Sequence, residues 1–119
     1  MRVGSVLWVD LTIDNADEVR DFYKEVVGWG HSEVDMGGYT DYSMLPPGAD
    51  APAAGIVHHR GVNEGIPPQW MIYIVVADLE ASIAACERLG GKVVKRAKDS
   101  PFCIIQDPAG AVAALFQAG

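Results

Sequence analysis

Residues 4–29 decide the fold, and they read GSVLWVDLTIDNADEVRDFYKEVVGW. The first ten of them, residues 4–13, are rich in β-branched and aromatic side chains and predict a strand. Asp14 or Asn15 can cap the helix that follows, and Gly28 can end it. Apolar side chains recur at helical spacing and are expected on one face: Val19, Phe22, Tyr23 and Val26. The stretch therefore predicts a strand followed by an amphipathic helix.

Short strands are predicted after this helix, near residues 30–36, 39–45 and 53–59, with glycine and proline turns between them. The same order then returns. Residues 70–76 (WMIYIVV) predict a strand, Asp78 predicts a helix cap, and Gly90-Gly91 predicts the helix end. The predicted face of this second helix carries Leu79, Ile83 and Cys86. Strands are predicted near 92–97, 102–106 and 111–117, with a turn at residues 107–110.

The order of elements indicates an internal repeat with a shift of 62 or 63 residues. We interpret the chain as one α+β domain over residues 1–119. It contains a βαβββ module over 1–60, a linker over 61–68, and a second βαβββ module over 69–119. Because one module leaves a sheet face uncovered, we expect the two to pair into a curled, cup-like mixed sheet with the helices outside.

Composition excludes some classes of function. The chain has 16 acidic and 9 basic residues, a net charge of −7, and no run of Lys or Arg, so a nucleic-acid partner is not expected. The polar N-terminal stretch resembles neither a signal peptide nor a membrane span, which indicates a cytoplasmic protein without a membrane partner. Cys86 and Cys103 lie in apolar segments and are predicted to be buried free thiols.

The sequence resembles the vicinal oxygen chelate superfamily, which includes glyoxalases, bleomycin-resistance proteins and extradiol dioxygenases. Residues 6–11 (VLWVDL), 20–23 (RDFY) and 28–29 (GW) resemble the first module of that family. Its second module resembles the following stretches: 70–73 (WMIY), 76–79 (VADL), 89–93 (LGGKV) and 105–110 (IQDPAG). The resemblance implies paired βαβββ modules, a cup and, usually, a homodimer.

The resemblance also implies where metal ligands would stand. Metalloenzymes of the family place His, Gln or Glu on the first and fourth strands of each module. Carried over by motif, those positions fall on Trp8, Gly55, Met71 and Ala114. None of these side chains is a ligand for a hard divalent metal. We therefore expect no metal and no other cofactor.

A shifted register is the alternative. A slip of two residues would bring in Asp10, and a slip of four would bring in His59, but the second module offers only Tyr73 and Val112 or Phe116. Two ligands are fewer than a catalytic metal usually takes from a protein. We interpret His58 and His59 as solvated residues at the edge of a loop.

The cup is expected to be lined by alternate residues of the first strands: Trp8, Asp10 and Thr12 from one module, and Met71, Tyr73 and Val75 from the other. Tyr42 on the third strand can add to it. The predicted ligand-binding residues are thus Trp8, Asp10, Tyr42, Met71 and Tyr73. An aromatic or cationic small molecule suits this lining. The alternative is that Trp8, Met71 and Tyr73 fill the cup as core.

Asp10 is the most informative residue of this set, because a carboxylate on a buried strand face needs a partner. It can anchor a cationic or hydroxyl group or act as a general base. Alternatively, it bonds Tyr73 or a backbone amide. No nucleophile with an adjacent base is visible in the sequence, so catalytic residues are not assigned.

Three functions remain open. The favoured one is a metal-independent small-molecule-binding protein that is not an enzyme. The second is a lyase, isomerase or oxygenase that uses a divalent metal at a shifted site. The third is a regulatory or assembly module whose cup is filled.

Overall fold

The computed structural model describes residues 1–119, apart from the side chain of Val62. Its first half contains β1 (Val6–Ile13), α1 (Ala16–Val27), β2 (Gly30–Asp35), β3 (Thr40–Leu45) and β4 (Ala54–His58). A 3-10 turn over Gly61–Asn63 follows. The second half contains β5 (Trp70–Val76), α2 (Leu79–Arg88), β6 (Lys92–Lys95), β7 (Phe102–Gln106) and β8 (Val112–Gln117). The predicted α+β fold class and the order of elements are confirmed.

Two compact units make up the chain. The first unit, Val9–Trp70, carries most of β1 and the elements from α1 to β4. Within it, β1 pairs in parallel with β4, β4 pairs antiparallel with β3, and β3 pairs antiparallel with β2. The parallel pair of first and fourth strands requires a crossover, which α1 and two further strands supply.

The second unit combines Met1–Trp8 with Met71–Gly119. Here β5 pairs in parallel with β8, β8 antiparallel with β7, and β7 antiparallel with β6. The N-terminal residues hydrogen-bond to β5: Gly4 N–H donates to Val75 O at 2.7 Å, and Val75 N–H donates to Ser5 O at 2.9 Å. Both units therefore have the same βαβββ pairing pattern, which is the repeat that the sequence predicts.

Both helices end as predicted, but only the second begins with a side-chain capping bond. Gly28 adopts a left-handed conformation (φ 79°) and its N–H bonds Lys24 O, so it ends α1 where a side chain would be strained. Asp78 caps α2 by accepting from Ala81 N–H at 3.1 Å. Asn15 precedes α1 without a capping bond, because its side-chain amide instead donates to Glu18 at 2.9 Å.

The predicted apolar face of α1 is wrong for two residues. Val19 and Tyr23 pack against a core cluster that includes Ala16, whereas Phe22 and Val26 are 55% and 59% exposed. At 100° per residue, Ala16, Val19 and Tyr23 form one stripe along the helix, and Phe22 and Val26 lie on one flank of it. The stripe that touches the sheet is therefore narrower than the apolar face that the sequence predicts. In the described part of the chain, no helix is long and apolar enough to span a membrane.

Candidate functional site

The second unit places the family's ligand positions in a closely packed sheet face. Ile74 and Val76 pack against the cluster under α2, so strand alternation turns Met71, Tyr73 and Val75 to the opposite face. Met71 is fully buried, as are Ala114 and Ile104, which are paired with each other on β8 and β7. Met71 therefore belongs to the core and presents no surface to a ligand.

Tyr73 and Trp8 remain half-buried in the same unit. Tyr73 pairs with Ala114 across the parallel strands, and its ring lies 6.2 Å from that of Phe102. An alanine beside a phenol gives the phenol room that a larger side chain would take. Of the residues predicted to bind a ligand in this unit, Trp8 and Tyr73 are the ones with accessible surface.

In the first unit, polar side chains replace this apolar set. The register pairs Asp10 with Gly55, and Gly55 with Ser43, across β1, β4 and β3. These three residues are neighbours on one sheet face, with the glycine between a carboxylate and a hydroxyl. Asp10 is half-buried, and Thr12, two residues along β1, is 2% exposed. The face can supply hydrogen bonds to a ligand but has one carboxylate among these residues.

The donor atoms at the four family positions do not suit a catalytic metal. Gly55 and Ala114 have no side-chain donor, Trp8 offers an indole N–H, and Met71 offers a soft, buried thioether. Across the described residues, no group of three or more His, Cys, Asp or Glu side chains is arranged to hold a metal ion. The residues present therefore do not fit the metal that the fold family implies.

The structure places Tyr42 away from the predicted lining. Its side chain packs with Ala16, Met44 and Ile56, on the sheet face that α1 covers. Asp10 is three residues from Ile13, which packs against that cluster, so Asp10 faces the other way. The assignment of Tyr42 to the same face as Asp10 is therefore corrected, because Tyr42 and Met44 alternate with the polar residues of β3.

A polar network surrounds Tyr42 at the start of α1. Tyr42 Oη donates to Asp17 Oδ1 at 2.5 Å, and His58 Nε2 lies 3.7 Å from the same oxygen. On its other side, His58 Nδ1 lies 3.2 Å from Asp41 Oδ1, which also accepts from the His58 backbone N–H at 2.8 Å. The His58 side chain is 17% exposed, so its interpretation as a solvated residue is wrong.

The neighbours of this network shift the pKa of Tyr42 and that of Asp21. The hydrogen bond to Asp17, followed by burial, raises the pKa of the Tyr42 phenol. The Arg20 guanidinium lies 4.7 Å from the centre of the Tyr42 ring and donates to Asp21 at 2.9 Å. That bond lowers the pKa of the Asp21 carboxyl. The network thus holds the phenol protonated and anchors the first turn of α1, which is a structural role.

His59 also has partners. Its Nδ1 lies 3.3 Å from Asp14 Oδ1, and its Nε2 accepts from Gly65 N–H at 3.0 Å. With Nε2 as an acceptor, the ring proton of the neutral imidazole is on Nδ1 and is directed to Asp14. His59 therefore ties the segment after β4 to the end of β1 and is not arranged as a metal ligand.

Sequence reasoning missed the network, although a signal for it exists. In β3, Tyr42 and Met44 alternate with Asp41 and Ser43, which puts Tyr42 on the apolar and therefore helix-facing side. The pairing of His58 with Asp41 depends on the register of β3 against β4, which a single sequence does not specify.

Comparison with known proteins identifies the class. The Glyoxalase-like domain family matches residues 8–116, so the chain belongs to that family, as its resemblance to the vicinal oxygen chelate superfamily predicts. The fold agrees: methylmalonyl-CoA epimerase from Mycobacterium tuberculosis superposes with a TM-score of 0.50 at 18% identity, covering 100% of this chain and 93% of that one.

Curated relatives are longer than this chain. "Putative glyoxylase CFP32" of Mycobacterium tuberculosis is 35% identical over 122 aligned residues, covering 98% of this chain and 47% of that protein. "Anthracycline biosynthesis protein DnrV" of Streptomyces peucetius is 33% identical over 98 residues, covering 82% and 34%. The chain thus spans about half the length of the first of these relatives and a third of the second.

Proposed function

We propose that this chain is a metal-independent small-molecule-binding protein of the glyoxalase and bleomycin-resistance type. The observation that carries the proposal is the set of side chains at the family's ligand positions. Gly55 and Ala114 have no donor, and Met71 is buried. A catalytic divalent ion needs converging nitrogen and oxygen ligands with an open position for substrate. These positions provide none, since the indole N–H of Trp8 donates hydrogen bonds and has no lone pair for a metal.

The ligand that we propose is a flat, aromatic molecule with a cationic or hydroxyl group. Trp8 and Tyr73 are half-buried, and aromatic rings stack on such molecules at little cost in side-chain entropy. In the first unit, Asp10 is a half-buried carboxylate that can hold a cationic or hydroxyl group. The net charge of −7 favours the approach of a cation. The name of the Streptomyces peucetius relative refers to anthracycline biosynthesis, and an aromatic ligand is in keeping with it.

A second candidate function rests on the burial of Met71, Ile104 and Ala114, each with no exposed surface. A face packed to this degree is typical of core, so the chain can instead be a regulatory or assembly module that binds no small molecule at this face. The two candidates differ in whether Trp8 and Tyr73 respond to a ligand.

The test is a thermal-shift screen of aromatic and aromatic-cationic compounds in buffer containing EDTA. A compound at about 100 times its Kd adds about 2.7 kcal/mol to the free energy of unfolding and raises the melting temperature by several degrees. We expect at least one such compound, and we expect Trp8→Ala to abolish its effect. Size-exclusion chromatography with light scattering follows the expected homodimer in the same samples.

Phe22→Ala is the matched control, since it also removes an aromatic ring but from the exposed flank of α1. It should keep the ligand response. A full ligand response in a folded Trp8→Ala variant would contradict the proposed site. Stabilisation that appears only when divalent metal replaces EDTA would support the enzyme alternative, and no response from any compound would support the assembly module.

A further inference from the structure

A groove lies on the helix-covered side of the second unit, opposite the face that carries Met71 and Tyr73. Its volume is about 430 Å³. Its floor is formed by Val76, Ile105 and Leu115, and α2 forms one wall. The complete lining is Val76, Ser82, Ala85, Cys86, Leu89, Gly91, Ile105, Asp107, Pro108 and Leu115. This volume is within the range of about 300–1,000 Å³ that is typical of small-molecule sites.

The groove exists because α2 presents short side chains to the sheet. Ser82, Ala85 and Cys86 follow Leu79, the first residue of α2, by three, six and seven residues. At the same distances from the first residue of α1 stand Val19, Phe22 and Tyr23. There, Val19 and Tyr23 pack against the core of the first unit. The same fold with smaller residues leaves apolar sheet surface uncovered, so the groove is a property of these residues and not of the fold.

Tight packing between α2 and the start of β6 bounds the groove at Gly91. A Cβ built on Gly91 would lie 2.6 Å from Cys86 Sγ and 2.8 Å from Gln106 O. Real Cβ atoms do not approach other atoms so closely, so Gly91 allows β6 to pass directly beside α2. The groove is therefore a bounded depression and not loose packing along the whole helix.

The groove lining includes one charged side chain, Asp107, which follows the strand partner of Lys92. Asp107 Oδ1 accepts from Ala109 N–H at 2.8 Å and from Ala111 N–H at 3.0 Å. These two bonds fix the carboxylate in the turn between β7 and β8. A positively charged group on a ligand is complementary to a carboxylate held in this way, whereas an anion would be repelled.

We propose that this groove is a second binding site, which takes a compact aromatic cation. The ring covers Val76, Ile105 and Leu115, and its positive charge lies near Asp107. The site is separate from the one proposed above, since the floor residue Val76 faces α2 while Tyr73 faces away from it. Its occupation buries apolar surface that α2 leaves exposed, which supplies the free energy of binding.

The first experiment uses the aromatic cation acridine orange as the probe and alkylation of Cys86 by iodoacetamide as the readout. Cys86 lines the groove and is partly exposed, whereas Cys103 is buried. At a free probe concentration of about ten times its Kd, alkylation of Cys86 should slow about tenfold, because only the unoccupied protein reacts. The anionic probe 1-anilinonaphthalene-8-sulfonate should protect Cys86 much less.

Variants that fill the groove or remove its charge test the assignment. Ala85→Phe adds a bulky ring to a residue of the groove lining in order to fill the groove, and it should abolish protection. Ser82→Val is a milder filling variant, to be used if Ala85→Phe does not fold. Asp107→Asn keeps an oxygen acceptor for the turn and removes the charge, so it should weaken binding of the cation several-fold. Trp8→Ala is the control for the other site and should leave protection unchanged.

Each alternative has its own result. Undiminished protection by acridine orange in folded Ala85→Phe, or loss of protection in Trp8→Ala, would overturn the assignment of the probe to this groove. If Ala85→Phe instead converts a dimer into a monomer and the probe protects nothing, a second copy of the chain occupies the groove and the proposal is wrong. Because the readout is local to Cys86, failure of this site leaves the proposed function of the other face untouched.

Discussion

The two units build the same βαβββ pattern with opposite chemistry beneath the helix. In the first unit, Tyr42 pairs with Ile56 across β3 and β4, and its hydroxyl reaches Asp17 in the first turn of α1. The corresponding pair in the second unit is Cys103 with Leu115, inside an apolar cluster under α2. A phenol with a polar network and a thiol without one therefore occupy equivalent positions.

The ends of the fourth strands show the same contrast. His58 pairs with Ile13 in the first unit, and its ring lies between Asp41 and Asp17. Gln117 pairs with Val76 in the second unit, and its Oε1 accepts from Leu79 N–H at 2.6 Å. Both residues lie at the start of a helix, where the His58 ring contacts the Asp17 carboxylate and Gln117 bonds an otherwise unpaired N–H. The fold needs this connection, but it does not prescribe the residue that makes it.

The largest expected effect comes from truncating the paired apolar residues. Ile56→Ala should lower the free energy of unfolding by about 2–5 kcal/mol, because Ile56 is fully buried and leaves a cavity. Leu115→Ala should cost less, near the low end of that range, since Leu115 already borders the groove and loses fewer contacts. Urea denaturation of both variants measures the difference. A larger loss for Leu115→Ala would show that the groove is closed in solution.

The next prediction compares Tyr42 with Cys103, which occupy equivalent positions in polar and apolar surroundings. Cys103→Ser buries a hydroxyl among apolar side chains and should cost about 1–3 kcal/mol. Tyr42→Phe removes one hydrogen bond, to the exposed Asp17, and should cost about 1 kcal/mol. A larger loss of stability in Tyr42→Phe than in Cys103→Ser would contradict the account of the two clusters. Chemical denaturation monitored by circular dichroism gives both values.

The pH dependence of stability should distinguish the units. The raised pKa of Tyr42 means that the unfolded chain loses its phenolic proton first as the pH rises. The protonated Tyr42 phenol contributes its full stabilisation of the folded chain below about pH 10, the ordinary pKa of tyrosine. This contribution is lost as the pH rises from there through the pKa that Tyr42 has in the folded chain. Denaturation at several pH values should show this loss in the native chain and a smaller one in Tyr42→Phe. Identical pH profiles would contradict it.

The smallest change concerns reactivity and not stability. Burial raises the pKa of the Cys103 thiol, and Cys103 has no exposed surface. A thiol reagent should therefore modify one cysteine per chain quickly, and peptide mapping should place the label on Cys86. Fast labelling of Cys103 under native conditions would show that the cluster under α2 opens.

The sequence predicts the elements well because strand composition, the glycines that end helices and the repeat all act locally. The strand predicted at 70–76, the cap at Asp78 and the helix stop at Gly28 agree with the structure. The family's ligand positions could also be assigned by motif, to Trp8, Gly55, Met71 and Ala114. In the structure, the strand partner of Gly55 is Asp10 and that of Ala114 is Tyr73.

Side-chain surroundings were harder to predict, since they depend on contacts between distant elements. The face of Tyr42 follows from alternation along β3 once Met44 is recognised as core, but its bond to Asp17 needs the position of α1. The exposure of Phe22 depends on how α1 is rotated against the sheet, which helical periodicity alone leaves open by a residue or two. The burial of Met71 likewise depends on Ile104 and Ala114 filling the same face.

The measurement that tests the central claim most directly is the metal content of the protein, purified without a histidine tag and analysed by mass spectrometry. It is made before and after addition of Zn, Ni, Mn and Fe, with dialysis between the two. The account predicts no stoichiometric metal and a melting temperature that none of these ions raises. One metal per chain that survives dialysis would contradict metal independence and place the enzyme alternative first.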